Sequence, residues 1–172
     1  GLAGDLNKET MCKCNKYRDD KLHHECGVLG IYGVDDAAGL AYYGLHALQH
    51  RGQQGCGIVT VGPTGEFHRV KGDGLVNEVF NEQKMNKLPG RMAIGHVRYS
   101  NAGCKGTENI QPFLFHHNSG DFAMANNGQI VNYRQLRDEL EDKGSLFQSS
   151  SDAEILAHLI KKQGVDKELP RI

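Results

Sequence analysis

At 172 residues the chain is long enough to bury a core of its own as one domain. Its formal net charge of −1 gives no basic face for nucleic acid, and no apolar run reaches the roughly 18 to 20 residues of a membrane span. Five cysteines without the spacing of a disulfide scaffold, and an N-terminus lacking an apolar signal core, point to a soluble protein of a reducing, cytoplasmic compartment.

Residues 1–25 are polar and charged with neither helical nor strand period, and read as a tail or removable leader. The pattern changes at Cys26, where CGVLGIYGV is an apolar strand. Asp35 or Asp36 then caps a helix to about His50, with Leu40, Tyr43, Ala47 and Leu48 as its apolar face. GCGIVTVG and EFHRVKG are strands joined by the turn Gly62-Pro63-Thr64-Gly65. GLVNEVFNEQKMNKL is short helical or irregular, and MAIGHVRY is a buried strand.

A polar loop runs from Ser100 to Phe113, a length that inside a compact domain marks function or mobility. Two strands, DFAMANN and GQIVN, meet at Asn127-Gly128, and two helices follow. The first carries Leu136 and Leu140 and stops near Gly144. The second, SDAEILAHLI, starts at a capping box of Ser151 and Glu154 and has Ile155, Leu156, Leu159 and Ile160 as its stripe. This order gives an α+β architecture of sheets sandwiched by helices.

Each polar feature taken alone has a structural explanation. Cys26 suits an inert core cysteine, and Arg51 in QHRGQQG a cation facing a helix C-terminus. Arg98 marks the solvent end of a strand, and Asn127-Gly128 is a two-residue hairpin turn. Asp152 lies in a helix first turn, where an acid is favoured whatever the function. A zinc site is a further reading, with Cys12, Cys14, His23, His24 and Cys26 as ligands; it would remove Cys26 as a nucleophile.

Together the features stop looking independent. ECGVLGIYG, GLHALQHRGQQGCGI, KGDGLVNEVF, IGHVRYSNAG, NIQPF, NNGQIVN and SSSDAEIL occur in this order. The chain from Cys26 to about Ile160 resembles the class II glutamine amidotransferase domain of the N-terminal-nucleophile hydrolases. QHRGQ, KGDGLVNEVF and GHVRYS followed by NIQPF bring it nearest to the amidophosphoribosyltransferase branch of that family, which opens purine synthesis. The resemblance implies a four-layer αββα sandwich, and a Cys26 made N-terminal by cleavage after Glu25, so that residues 1–25 are a propeptide and 26–172 the glutaminase domain.

The chemistry explains why such a cysteine is needed. A free thiol, with pKa near 8.5, is only a few per cent thiolate at neutral pH but intrinsically nucleophilic, and a free α-amine of pKa about 7.7 to 8.0 can move its proton. Only an N-terminal cysteine carries both groups on one residue. By resemblance the oxyanion donors are the Asn127 side-chain amide and the Gly128 N–H. By the same resemblance Arg98 would grip the α-carboxylate of glutamine, Asp152 would pair with its α-ammonium, and Arg51 and Asn101 would line the same pocket. The loop from Tyr99 to about Gln111 corresponds to a lid over the substrate.

Two positions depart from the family pattern. Asn126 stands where histidine usually precedes Asn-Gly, and Asn101 where many relatives have threonine. The resemblance further implies a phosphoribosyltransferase domain after Ile172 that consumes the ammonia, and a homo-oligomeric full enzyme. No cofactor is expected in residues 1–172; Mg2+, and the iron–sulfur cluster some relatives carry, would belong to the later region. A leader-capped, non-catalytic regulatory domain is the alternative on the same fold.

Overall fold

The computed structural model describes residues 26–49, 53–99, 107–116, 120–128 and 130–162. Strand β1 (Gly27–Tyr32) is followed by helix α1 (Ala37–Leu48) and by strands β2 (Gln53–Val61) and β3 (Phe67–Asp73). Two single-turn helices, α2 (Val76–Val79) and α3 (Glu82–Met85), lead into strand β4 (Met92–Tyr99). These strands form one antiparallel sheet in the order β1-β4-β2-β3. β2 is buried from Gly55 to Thr60, which is why its sequence is a nearly continuous apolar run rather than an alternation.

Helix α1 covers one face of this sheet. Its N-cap is Asp36, whose carboxylate accepts from the Gly39 N–H at 3.0 Å. The face it buries is not the expected one. Ala37, Ala38, Ala41 and Leu45 lie against the strands, whereas Tyr43 is 70 % exposed and Leu40 and Leu48 are partly in solvent. The sheet decides this. A Cβ on Gly95 would sit 3.1 Å from Leu45, and one on Gly27 would sit 2.8 Å from Val97 and 3.1 Å from Leu48. Glycines on the strands and alanines on the helix let the two layers approach closely, and large apolar residues on the contact stripe would hold them apart.

The opposite face of the sheet meets a second layer. A 3₁₀ turn at Thr107–Asn109 precedes the short strands β5 (Phe113–Phe115) and β6 (Phe122–Met124), which pair antiparallel. Helices α4 (Tyr133–Asp142) and α5 (Ala153–Lys162) follow and pack on each other. Leu114, Phe115 and Phe122 face Ala157 and His158 of α5 across a common cleft. The layers therefore run helix, sheet, sheet, helices, the αββα order of an α+β sandwich.

Three sequence expectations fail here. β5 lies where only the end of a loop was expected. Residues 130–132 of GQIVN form no strand: Ile130 leads directly into the turn before α4, and Val131 is wholly exposed. The Ser151–Glu154 capping box does not form. Ser151 Oγ caps Ala153 N–H at 3.3 Å, but the Glu154 carboxylate is buried and accepts from the N–H groups of Gln148 and Ser149 and from Ser149 Oγ. A buried carboxylate with three donors is well satisfied, so Glu154 tightens the approach to α5 instead of its first turn. Of the expected α5 stripe, Ile155 is fully buried while Ile160 is 54 % exposed. No helix among the described residues is long and apolar enough to cross a membrane.

Candidate active site

Cys26 stands at the head of β1, one residue before Gly27 pairs with Val97. Its Sγ accepts from the Tyr99 N–H at 3.4 Å and lies 3.7 Å from the Tyr99 carbonyl oxygen. The thiol is thus held at the end of β4, one residue past Arg98, and it is partly exposed. Its neighbour Gly27 is obligatory by sterics, because any side chain there would strike Val97 and Leu48.

β4 carries two different faces. Ala93, Gly95 and Val97 point toward α1; His96 and Arg98 point the other way. The register shows what faces the latter. Arg98 pairs with Gly55 and His96 with Gly57 of β2. A Cβ on Gly55 would lie 2.7 Å from Ile110, and one on Gly57 would lie 2.4 Å from the Gln111 carbonyl oxygen and 3.1 Å from Pro112. Ile110, Gln111 and Pro112 therefore descend on the face that bears Arg98, and the two glycines make the room.

Gln111 then fixes the second layer of the site. Its side-chain amide donates to Asn126 Oδ1 at 3.0 Å and accepts from the Asn126 N–H at 2.7 Å. A two-point clamp of this kind sets both position and rotation of the residue it holds. The next two residues are Asn127 and Gly128, both exposed. Gly128 has φ of 144°, a region nearly closed to other residues. The chain there does not turn back as a hairpin, so the two-residue turn explanation of Asn127-Gly128 falls away.

Asp152 is tied to the same segment. Its Oδ2 accepts from the Ile130 N–H at 2.7 Å, which brings the start of α5 up to the residues following Gly128. Close by, the Asn109 side chain accepts from both the N–H and the Oγ of Ser150 at 3.1 Å. The end of the long loop, the Asn127-Gly128 segment and the head of α5 are thereby linked.

Burial shapes the electrostatics. His96 is 1 % exposed and its pKa falls to about 4, chiefly because burial penalises the cation, with Arg98 adding to the effect and the Asn126 main chain opposing it. Lys71 on β3 is lowered to about 8, again mainly by burial, and donates to the Ile110 carbonyl at 3.0 Å.

The thiol and Arg98 lie at one end of the first sheet, and an amide with an adjacent N–H follows the clamped Asn126. A thiol, a guanidinium and two N–H donors are the kinds of group that a nucleophile, an anion grip and an oxyanion hole require. A glutamine amidotransferase domain model matches residues 82–172, more than half of the chain. The chain belongs to the glutamine amidotransferase family. Within it, this amidotransferase is similar to amidophosphoribosyltransferase 1, chloroplastic, of Arabidopsis thaliana: 53% identity over 85% of this chain and 26% of that protein. It is 54% identical to amidophosphoribosyltransferase of Bacillus subtilis (strain 168), over 83% of this chain and 30% of the relative. The solved glutamine phosphoribosylpyrophosphate amidotransferase from B. subtilis, complexed with ADP and GMP, superposes with a TM-score of 0.74 at 50% identity, covering 81% of this chain and 30% of that one. This amidotransferase chain thus spans less than a third of the length of these relatives.

Of the residues the sequence pointed to, Cys26 and Arg98 lie at the same end of the first sheet, and Asp152 bonds Ile130, two residues after Gly128, in the second layer. Arg51 and Asn101 lie outside the described residues, as do the leader, Cys12, Cys14, His23 and His24 of the zinc reading, and residues 100–106 of the lid. Among the described residues no group of three or more His, Cys, Asp or Glu side chains is placed to hold a metal ion. Gln111, Asn109 and His96 received no role from sequence reasoning, although they sit inside NIQPF and GHVRYS. Their signal was a polar side chain in an otherwise apolar or loop motif.

Proposed function

We propose that this chain is the glutaminase part of an amidophosphoribosyltransferase. Cys26, freed as the N-terminal residue, attacks the side-chain amide of glutamine and releases ammonia. The α-amine takes the thiol proton and passes it to the leaving ammonia, and water then hydrolyses the γ-glutamyl thioester to glutamate. Asn127 and Gly128 donate to the oxyanion of each tetrahedral intermediate. Arg98 binds the α-carboxylate and Asp152 the α-ammonium, with Arg51 and Asn101 lining the pocket.

The observation that carries this reading is the seat of the Cys26 thiol at the end of β4 next to Arg98, on the sheet face that meets the clamped Asn126. An inert core cysteine has no need of such neighbours. Cys56 supplies the contrast, fully buried in the apolar core under α1. In the full protein the ammonia serves phosphoribosylamine formation by a phosphoribosyltransferase part, as the names of the relatives support.

The test is a glutaminase assay on protein whose mass shows Cys26 to be N-terminal. Cys26→Ala is expected to abolish ammonia release and Cys26→Ser nearly so, while Arg98→Ala mainly raises KM for glutamine. Undiminished turnover in Cys26→Ala overturns the mechanism. Full-length protein that stays uncleaved and inactive would favour the capped regulatory domain instead.

A further inference from the structure

His96 is 1 % exposed, and neither ring nitrogen finds a hydrogen-bond partner among the described residues. A buried imidazole with both nitrogens unsatisfied is costly, and an apolar side chain of similar volume would fill the space without that cost. Its surroundings say what it is there for. It shares a strand face with Arg98, two residues on, and lies across from Gly57. The missing side chain at Gly57 lets Gln111 and Pro112 press down beside it. Gln111 clamps Asn126 through two hydrogen bonds, and the main chain of Asn126 comes near enough to the ring to favour its proton.

His96 is therefore the group through which the strand bearing Arg98 meets the residue just ahead of the oxyanion donors. We infer that His96 is a positioning residue for Asn127 and Gly128, its imidazole N–H set to donate to the Asn126 main chain. Burial keeps the ring neutral, so it holds the loop without placing a second cation next to Arg98. Gln111 holds Asn126 from the second layer and His96 from the first sheet, and the two together set the distance between the α-carboxylate grip and the oxyanion donors. This inference rests on the glutaminase reading of the site, since positioning has meaning only where Asn127 and Gly128 act.

The experiment compares the wild-type chain with His96→Leu and His96→Gln. Hydrogen exchange at the amides of residues 126 to 128 is expected to quicken in His96→Leu, with the core amides of β2 and β4 unchanged and thermal stability kept. In the assay, kcat is expected to fall by about tenfold or more while KM for glutamine changes by less than about twofold. His96→Gln, whose amide still donates, is expected to recover part of the loss. Unchanged exchange at residues 126 to 128 overturns the inference whether or not the protein hydrolyses glutamine. So does a glutamine variant no better than leucine, which would reduce His96 to a space filler. Activity surviving in Cys26→Ala, by contrast, removes the glutaminase reading and leaves the exchange result standing.

Discussion

The two faces of β4 are built on opposite rules. Toward α1 the strand shows Ala93, Gly95 and Val97, matched by Ala37, Ala38, Ala41 and Leu45, and the burial is apolar apart from Thr60 of β2 opposite Ala93. Toward the second layer it shows His96 and Arg98, matched by Gln111 and Asn126, and a buried imidazole finds no hydrogen-bond partner among the described residues. One face spends its burial on cohesion. The other gives up cohesion to place polar groups in a fixed array, which is the usual cost of a preorganised site. The difference is set by alternate residues of a single strand, because neighbours along a strand point to opposite faces.

Breaking the cohesive face should cost stability and leave chemistry alone. Leu45→Ala removes a fully buried side chain wedged over Gly95, and a loss of about 3 to 5 kcal/mol is expected in urea unfolding, with KM for glutamine unchanged in the protein that remains folded. Breaking the polar face should do the reverse. Asn127→Ala, at an exposed position, is expected to lower kcat by about a hundredfold or more, near 3 kcal/mol, while unfolding midpoints stay within error of wild type. If both variants lost stability alike, the two faces would not be separate devices.

Smaller effects sharpen the comparison. Asp36→Ala deletes the α1 cap on the cohesive side, and about 1 kcal/mol of stability should go with it, read from the same urea curves. The pH response belongs to the polar face. Unfolded, His96 protonates near its ordinary value of 6.5, but in the folded protein only at about 4. Between those values the unfolded chain binds the extra proton, so stability falls as the pH is lowered through that window and is unaffected above it. Arg98 on the same strand, and Arg69 and Lys71 on β3, are cations on this side of the sheet, and Lys71, lowered only to about 8, stays charged throughout the window. His96→Leu is expected to flatten this part of the stability profile; a profile identical to wild type would place the acid sensitivity elsewhere.

Local patterns were legible where local physics decides. A cap at Asp35 or Asp36 was readable from residue type and position, β1, β2 and β4 from their apolar runs, and β3 from the turn that joins it to β2. The buried stripe of α1 was not, because its helical periodicity admits Leu40, Tyr43 and Leu48 as readily as Ala37, Ala41 and Leu45, and only the glycine-lined sheet selects the small residues. Asn127-Gly128 carried a hairpin signal that the fold ignores, since Asp152 takes the Ile130 N–H that a second strand would have used in its ladder. Glu154 likewise had the spacing of a capping box, and the donors of Gln148 and Ser149 outbid it.

By itself the sequence determined the kinds of chemistry present: a cysteine ahead of a glycine-spaced strand, an arginine ending a buried one, an amide next to a glycine, an acid at a helix start. Residue type and local spacing suffice for that, because nucleophilicity, charge and conformational freedom are properties of single residues and short stretches. Which of them meet was decided only by the tertiary structure. Cys26 and Arg98 are far apart along the chain and adjacent through the β1–β4 register, and Asn126 reaches the sheet through Gln111, a residue no local pattern singles out. Strand pairing and the approach of the second layer at Gly55 and Gly57 are long-range events, and the site exists only where they coincide.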